Sequence, residues 1–145
     1  MKVVVVGGGI GGCALALSLH AAGIEDVEIY EAVSEVRELG VGVNVLPHAA
    51  RELIELGLGD ELAATAIPTA ALVFFNRHGQ RVFSEDRGVA AGYHWPQYSI
   101  HRGELLGILH RAVHERLGSD RYHTGHTVAA VGGDDADLQV GPRRH

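Results

Sequence analysis

Three glycines and one acid carry most of the chemistry legible in this chain. Gly7, Gly9 and Gly12 lie at G-x-G-x-x-G spacing directly after the β-branched run Val3 to Val6. In that pattern the first glycine permits a tight turn out of a strand. The second lets the backbone come close to a pyrophosphate, and the third lets a helix pack on the strand. The N–H groups at the helix start and the positive end of its dipole then hold phosphate charge. Glu31 follows about 20 residues further on, where a carboxylate reaches both ribose hydroxyls of a dinucleotide. The combination predicts dinucleotide binding, with a purely structural tight turn as the plainer alternative. The motif does not choose between NAD and FAD. There is no G-x-x-x-x-G-K-[ST] stretch, so a P-loop nucleotide triphosphatase is excluded.

Other residue types in the chain also invite a chemical reading. His110 and His114 stand four apart on a predicted helix, with His123 and His126 beyond, but no glutamate follows His110 as H-E-x-x-H would require. Solvated helix and strand positions explain these histidines better than a metal does, and no metal is expected. Tyr93 and Trp95, in a predicted loop, suit either the wall of a ring-shaped substrate or ordinary loop packing. The single cysteine, Cys13, excludes an internal disulfide and reads as a small buried hydrophobe on a helix.

These residues need elements to hold them. Lys2 to Val6 predicts a strand buried on both faces, and Ile10 to Ala22 a helix with Ile10, Ala14, Leu17 and Ala21 on one face. Gly23 ends that helix, and Val27 to Glu31 is a second strand, which completes a βαβ unit. Residues 32–46 read as a loop ending in an extended, glycine-laced piece, in which Gly40 and Gly42 suggest a close backbone approach to a ligand. Pro47 opens a helix that runs to Leu56 with Leu53 and Leu56 inward, and Asp60 is placed to cap a short helix ending at Ala66. Residues 71–85 form two β-rich runs around Asn76-Arg77-His78-Gly79, a hairpin. Residues 88–97 are loop and Tyr98 to His101 is extended. Arg102 to Leu117 is an amphipathic helix with Leu105, Ile108, Leu109 and Ala112 inward. Short strands are expected at 121–124, 128–131 and 137–140.

Bulk composition bounds the partners. The 145 residues suffice for one core, with 46% hydrophobic and 21% charged residues. A formal net charge of −6 and the lack of a basic stripe argue against nucleic acid. Met1-Lys2 before an apolar run loosely mimics a secretory signal, but the five glycines from 7 to 12 break the helix such a signal needs. No run reaches the roughly 20 apolar residues of a membrane span. A cytoplasmic location with no membrane partner is expected.

Taken together, "VVVVGGGIGGCALALSLHAAG", Glu31, "VRELGVGVNVLPHAARELIELGL" and "YSIHRGELLGIL" resemble the FAD-dependent aromatic hydroxylases, single-component flavoprotein monooxygenases. The stretches "ELGLGDELAATAIPT", "SEDRGV" and "PQYSIHRGEL" most resemble the phenazine hydroxylases of that family. The glycine motif is shared by many proteins, whereas "GVGVNVLP" and "SIHRGEL" are much more specific. The resemblance implies bound FAD, NADH or NADPH as a transient reductant, O₂, and a small aromatic, phenazine-like substrate. It implies that Gly7, Gly9 and Gly12 approach the FAD pyrophosphate, with Ile10 and Gly11 between them, and that Glu31 and Ala32 meet the adenosine ribose. Arg37 corresponds to an arginine near the FAD after the second strand. Gly42, Val43 and Asn44 correspond to backbone passing the flavin ring, and Arg102 to an arginine set against the ribityl and phosphate part. A guanidinium suits that place because it forks onto phosphate oxygens. No catalytic side chain is assigned, because the flavin carries the chemistry.

Members of that family run further, with an Asp-Gly pair after an apolar strand. Here "ADLQVG" is followed by "PRRH". The expected fold is therefore α/β, a Rossmann-like FAD-binding βαβ with an incomplete parallel sheet, plus a β-hairpin of a substrate-side sheet. The whole chain, 1–145, is expected to be an N-terminal part of the FAD-binding domain, with 71–100 contributing to the substrate side. A non-catalytic nucleotide-binding remnant and half of an NAD-binding dehydrogenase stay open as alternatives.

Overall fold

The structure, a computed structural model, describes residues 1–35, 40–132 and 137–142. In chain order its elements are β1 (Val3–Val6), α1 (Ile10–Ala21), β2 (Val27–Tyr30), β3 (Gly42–Val45), α2 (Pro47–Glu55), α3 (Gly59–Thr65), β4 (Ile67–Thr69), β5 (Ala71–Phe75) and β6 (Arg81–Asp86). They continue with β7 (Gln97–His101), α4 (Arg102–Leu117), β8 (Tyr122–His123), β9 (His126–Gly132) and β10 (Asp137–Pro142). Short 3₁₀ turns precede β7 and β8. The chain divides into two compact units, one of residues 1–38 and 106–145, the other of residues 39–105. Among the described residues, no helix is long and apolar enough to cross a membrane.

The first unit is the βαβ unit the sequence predicts. β1 and β2 pair in parallel with Val3 opposite Val27, and β2 pairs in parallel with β8, giving the order β1-β2-β8. β9 and β10 form a separate antiparallel pair. Val5, Val27 and Ile29 point into a core shared with Cys13, Leu17, Ile108, Leu109 and Val113. α1 ends as expected. Gly23 takes φ +83, and the N–H groups of Gly23 and Ile24 bond to the carbonyls of His20 and Leu19, which is the Schellman arrangement.

Two expectations for this unit need correction. Val6 is 59% exposed, so β1 is not buried on both faces. β1 is an edge strand of its sheet, and of its four valines only Val5 is buried. Of the expected face Ile10, Ala14, Leu17 and Ala21, only Leu17 is buried, and Cys13 and Ala16 join it. Gly12 sets this rotation, because its missing side chain brings the first turn of α1 against the Gly7 carbonyl and turns Cys13 and Ala16 inward.

In the second unit, β3, β7 and β4 form an antiparallel sheet in that order, with Val45 opposite Tyr98 and Thr69 opposite Gln97. β4 lay unpredicted in the sequence, since three residues that include Pro68 carry no period. Pro47 opens α2 as expected, with Leu53 buried and Leu56 only half-buried. Asp60 does not cap α3. Leu58 occupies the N-cap, buried, with its N–H bonded to the Leu53 carbonyl, so the helix starts earlier and Asp60 falls in its first turn. β5 and β6 form the predicted hairpin, whose turn is tied by Asn76. The Asn76 Oδ1 accepts the N–H groups of His78 (2.9 Å) and Gln80 (3.0 Å), and Gly79 takes φ +75.

α4 spans 102–117 as predicted, and all four expected inward residues are buried. Its start is built by His101, whose Nδ1 accepts the Gly103 N–H at 3.2 Å. That leaves Nε2 to carry the proton and to donate to the Gly40 carbonyl at 2.9 Å.

Candidate functional site

The glycine turn of the first unit separates two kinds of glycine. Gly7 takes φ +97, a conformation that disfavours any side chain. An added Cβ on Gly12 would overlap the Gly7 carbonyl oxygen, and one on Gly8 would overlap the Tyr122 hydroxyl. These three are glycine for reasons inside the chain. Gly9 and Gly11 differ, because a Cβ at either position would meet nothing within 4 Å. Gly9 is the N-cap of α1, in extended conformation and without a side-chain cap. Its carbonyl accepts the Cys13 N–H at 2.9 Å, the first bond of the helix. The N–H groups of Ile10, Gly11 and Gly12 precede that bond and have no intrahelical acceptor. A glycine pair facing open space at a helix N-terminus with free donors is a cradle for an anionic group.

Glu31 is brought to this turn. Its Oε2 accepts the Gly8 N–H at 2.7 Å and its Oε1 accepts the Val33 N–H at 2.9 Å. The carboxylate is thus oriented from both oxygens, and each oxygen keeps a further lone pair for a hydroxyl donor. Its own backbone is fixed by bonds with His123 and His126, and Ala32 beside it is half-buried. Gly7, Gly9, Ile10, Gly11, Gly12, Glu31 and Ala32 therefore gather in one place, as their spacing predicts. Arg37 lies outside the described residues.

The second unit holds the other predicted residues. Gly42, Val43 and Asn44 form most of β3. Asn44 Oδ1 accepts the Ser99 hydroxyl at 2.8 Å, and Ser99 is in turn 2.8 Å from the Thr69 hydroxyl. This chain of polar groups crosses the whole β3-β7-β4 sheet and leaves the Asn44 amide nitrogen as an outward donor. Arg102 opens α4, and its N–H bonds to the Val41 carbonyl. Its side chain is exposed, and among the described residues its guanidinium has no ion-pair or hydrogen-bond partner. Gly40 and Gly42, paired in the sequence reading, separate here. Gly40 takes φ +145 and its vacant side is filled by the Arg102 stem, 3.2 Å from a built Cβ. Gly42 alone faces open space.

A cavity of about 640 Å³ also lies in this unit, lined by Leu46, Pro47, Arg51, Arg87, Trp95 and Gln97 among others. Tyr93 is on its wall too. Arg51 lies over the Trp95 ring at 5.5 Å, and the Arg87 Nε is buried without a partner while its Nη2 bonds Glu85 at 2.6 Å. The volume falls within the range of small-molecule sites.

Sequence reasoning missed the role of Tyr122 and misread the histidines. His110 and His114 are half-buried and in contact with each other rather than freely solvated. Their Nε2 atoms stand 3.0 Å apart, and the His110 ring meets Tyr122 edge-on at 4.7 Å. Burial, and then the neighbouring His114, hold the His110 imidazole below its usual value. Among the described residues, no group of three or more histidine, cysteine or acidic side chains is placed to hold a metal. Only the excess of glycine at position 8, beyond what the motif requires, could have signalled a bulky neighbour.

No family model matches the chain. It is 51% identical over 123 residues to a phenazine 1,6-dicarboxylic acid hydroxylase of Lysobacter antibioticus, which covers 85% of this chain and 30% of that protein. Its fold matches the crystal structure of p-nitrophenol 4-monooxygenase from Pseudomonas putida, with a TM-score of 0.85 and 22% identity over 97% of this chain and 36% of the other. It also matches Klebsiella pneumoniae HpxO complexed with FAD, with a TM-score of 0.75 and 25% identity over 98% of this chain and 38% of the other. The chain spans about a third of the length of the curated relatives it matches.

Proposed function

We propose, from the chain's homology to the FAD-dependent aromatic hydroxylases, that it is the FAD-binding portion of a flavin monooxygenase. The observation that carries this reading is the division within the glycine turn. Gly7, Gly8 and Gly12 answer to the chain itself, whereas Gly9 and Gly11 keep space clear beside N–H groups that have no intrahelical acceptor. That is the shape a pyrophosphate needs. Glu31 takes the adenosine ribose hydroxyls, oriented by the Gly8 and Val33 N–H groups, with Ala32 alongside. Gly42, Val43 and Asn44 supply backbone and an amide donor to the flavin end, and the exposed Arg102 guanidinium takes phosphate charge. Arg37 is proposed beside the cofactor on the family resemblance alone.

When bound, reduced flavin supplies the reaction with O₂ and the transfer of one oxygen atom to an aromatic ring. This chain's residues bind and orient the cofactor and supply no covalent catalyst. NADH or NADPH is the reductant in this reading. The substrate is a planar aromatic acid of the phenazine type, the class in the name of the Lysobacter relative. The 71–100 segment, with Tyr93 and Trp95, belongs to the substrate side, and the protein works in the cytoplasm.

The test is a fluorescence titration of FAD against the parent chain and Gly9→Val, with circular dichroism on the same samples. The reading expects the parent to bind and the variant to lose binding while keeping its helix content. Equal binding by both would make the turn purely structural. A parent that binds NADH and not FAD would favour a dehydrogenase half.

A further inference from the structure

We propose that Tyr122 is a positioning residue for the phosphate-binding turn, fixing the Gly8–Gly9 peptide so that the Gly9 N–H faces the bound pyrophosphate. This rests on the dinucleotide reading above and adds to it a residue about 110 positions away in sequence that touches no part of the motif's spacing.

Gly8 is held at both ends. Its N–H donates to Glu31 Oε2 at 2.7 Å, and its carbonyl accepts the Tyr122 hydroxyl at 2.8 Å in a buried setting. Cys13 Sγ donates to the same carbonyl at 3.3 Å. Burial pushes the Cys13 thiol up to about 11 and raises the Tyr122 phenol further, so both stay protonated and donate. Among the described residues, no peptide bond is cis. In a trans peptide the carbonyl and the following N–H point to opposite sides of one plane. A Gly8 carbonyl turned toward Tyr122 therefore turns the Gly9 N–H away from Tyr122, and Gly9 itself carries no side chain and has open space where a Cβ would stand.

The phenol is itself held. Its ring stands edge-on to His110 at 4.7 Å and tilted against His114 at 5.6 Å, with the two imidazoles 3.0 Å apart. Tyr122 lies on β8, which is paired in register with β2, and β2 leads to Glu31. One strand pairing thus delivers both clamps on Gly8. The ring also occupies the volume that any side chain at position 8 would need, so it packs directly against this peptide.

The experiment compares Tyr122→Phe with the parent for ADP and adenosine by isothermal titration, and reads the Gly9 amide by ¹H–¹⁵N NMR without ligand. Loss of one net hydrogen bond, partly covered by Cys13, should weaken ADP roughly fivefold and leave adenosine unchanged. The Gly9 amide should shift and exchange faster. Cys13→Ala should show the same pattern at smaller size. A packing role alone would lower the melting temperature and weaken ADP and adenosine together, and that result would overturn the proposal. An unchanged ADP affinity with an unchanged Gly9 amide would overturn it as well. A parent that binds neither ADP nor FAD would sink the dinucleotide reading, and the amide measurement would then decide by itself whether the phenol sets this peptide.

Discussion

The glycine turn of the first unit and the β5–β6 hairpin of the second are both short turns next to strands, and they resolve their surroundings in opposite ways. At the turn, Gly8 and Gly12 are each in contact that leaves no room for a methyl group, and Glu31 and Tyr122 satisfy its buried backbone. In the hairpin, Phe74, Phe75 and Phe83 are about half exposed or more and Val82 is 69% exposed, although the strands pair along their length. Hydrogen bonds fix the hairpin's register, yet its side chains pack on little beyond one another, as in the tilted Phe74–Phe83 pair. Local sequence signals thus suffice to form a ribbon, while a packed site needs partners distant in the chain.

The sharpest way to break this contrast is Gly12→Ala. The new methyl would overlap a backbone oxygen, which cannot move without opening the strand-to-helix turn. A loss of about 3 kcal/mol or more is expected, the size of a severe core clash. Urea unfolding would measure it, and a change under 1 kcal/mol would show that the turn is as yielding as the hairpin.

Glu31→Gln comes next. One oxygen becomes an amide donor and the negative charge is lost. FAD affinity should fall by about 1.5–3 kcal/mol, tenfold or more, as for a hydrogen bond to a charged group. Equal FAD dissociation constants for variant and parent would remove Glu31 from the site.

Phe74→Thr should change stability by no more than about 0.5 kcal/mol, because the ring is already 55% exposed. The larger effect is on association. An exposed apolar ribbon with a free edge promotes self-pairing, so light scattering should report less oligomer for the variant. A large loss of stability would mean that the ring is packed after all.

The last prediction concerns pH and tests the histidine pair. The folded state holds His110 below its ordinary value of 6.5, so the unfolded chain takes up its proton first as pH falls. The stabilising preference for neutral His110 is present above that value and is lost as pH drops through it toward the depressed folded value. The urea midpoint of the parent should therefore fall between about pH 7.5 and 5.5, and less steeply for His110→Gln. Identical slopes would show that His110 carries no part of the dependence.

Much of the frame could be read from residues alone. α4 was legible to the residue because Leu105, Ile108, Leu109 and Ala112 repeat at helical spacing and each is buried. The glycine spacing and Glu31 were legible because the motif is local and each position has its own physical reason. The buried face of α1 was not, since its small and apolar residues are spread around the helix and only the Gly12 contact selects a face. Asp60 misled because capping propensity is a local preference, and the burial of Leu58 overrode it. Tyr122 was invisible because its partner lies more than a hundred residues away, and a tyrosine in a two-residue strand carries no periodic signal.

The contact between Gly8 and Tyr122 also constrains how such a sequence can change over generations. Any side chain gained at position 8 while the tyrosine stands would break the turn, so that step is closed to a single mutation. The tyrosine must first give way to something smaller, and only then does position 8 become free to vary. The order in which mutations arise would then matter as much as their identity, and lineages that kept the phenol would keep the glycine with it. At Gly9 and Gly11 an added Cβ would meet nothing within 4 Å, so no contact of this kind ties either position to another residue's history.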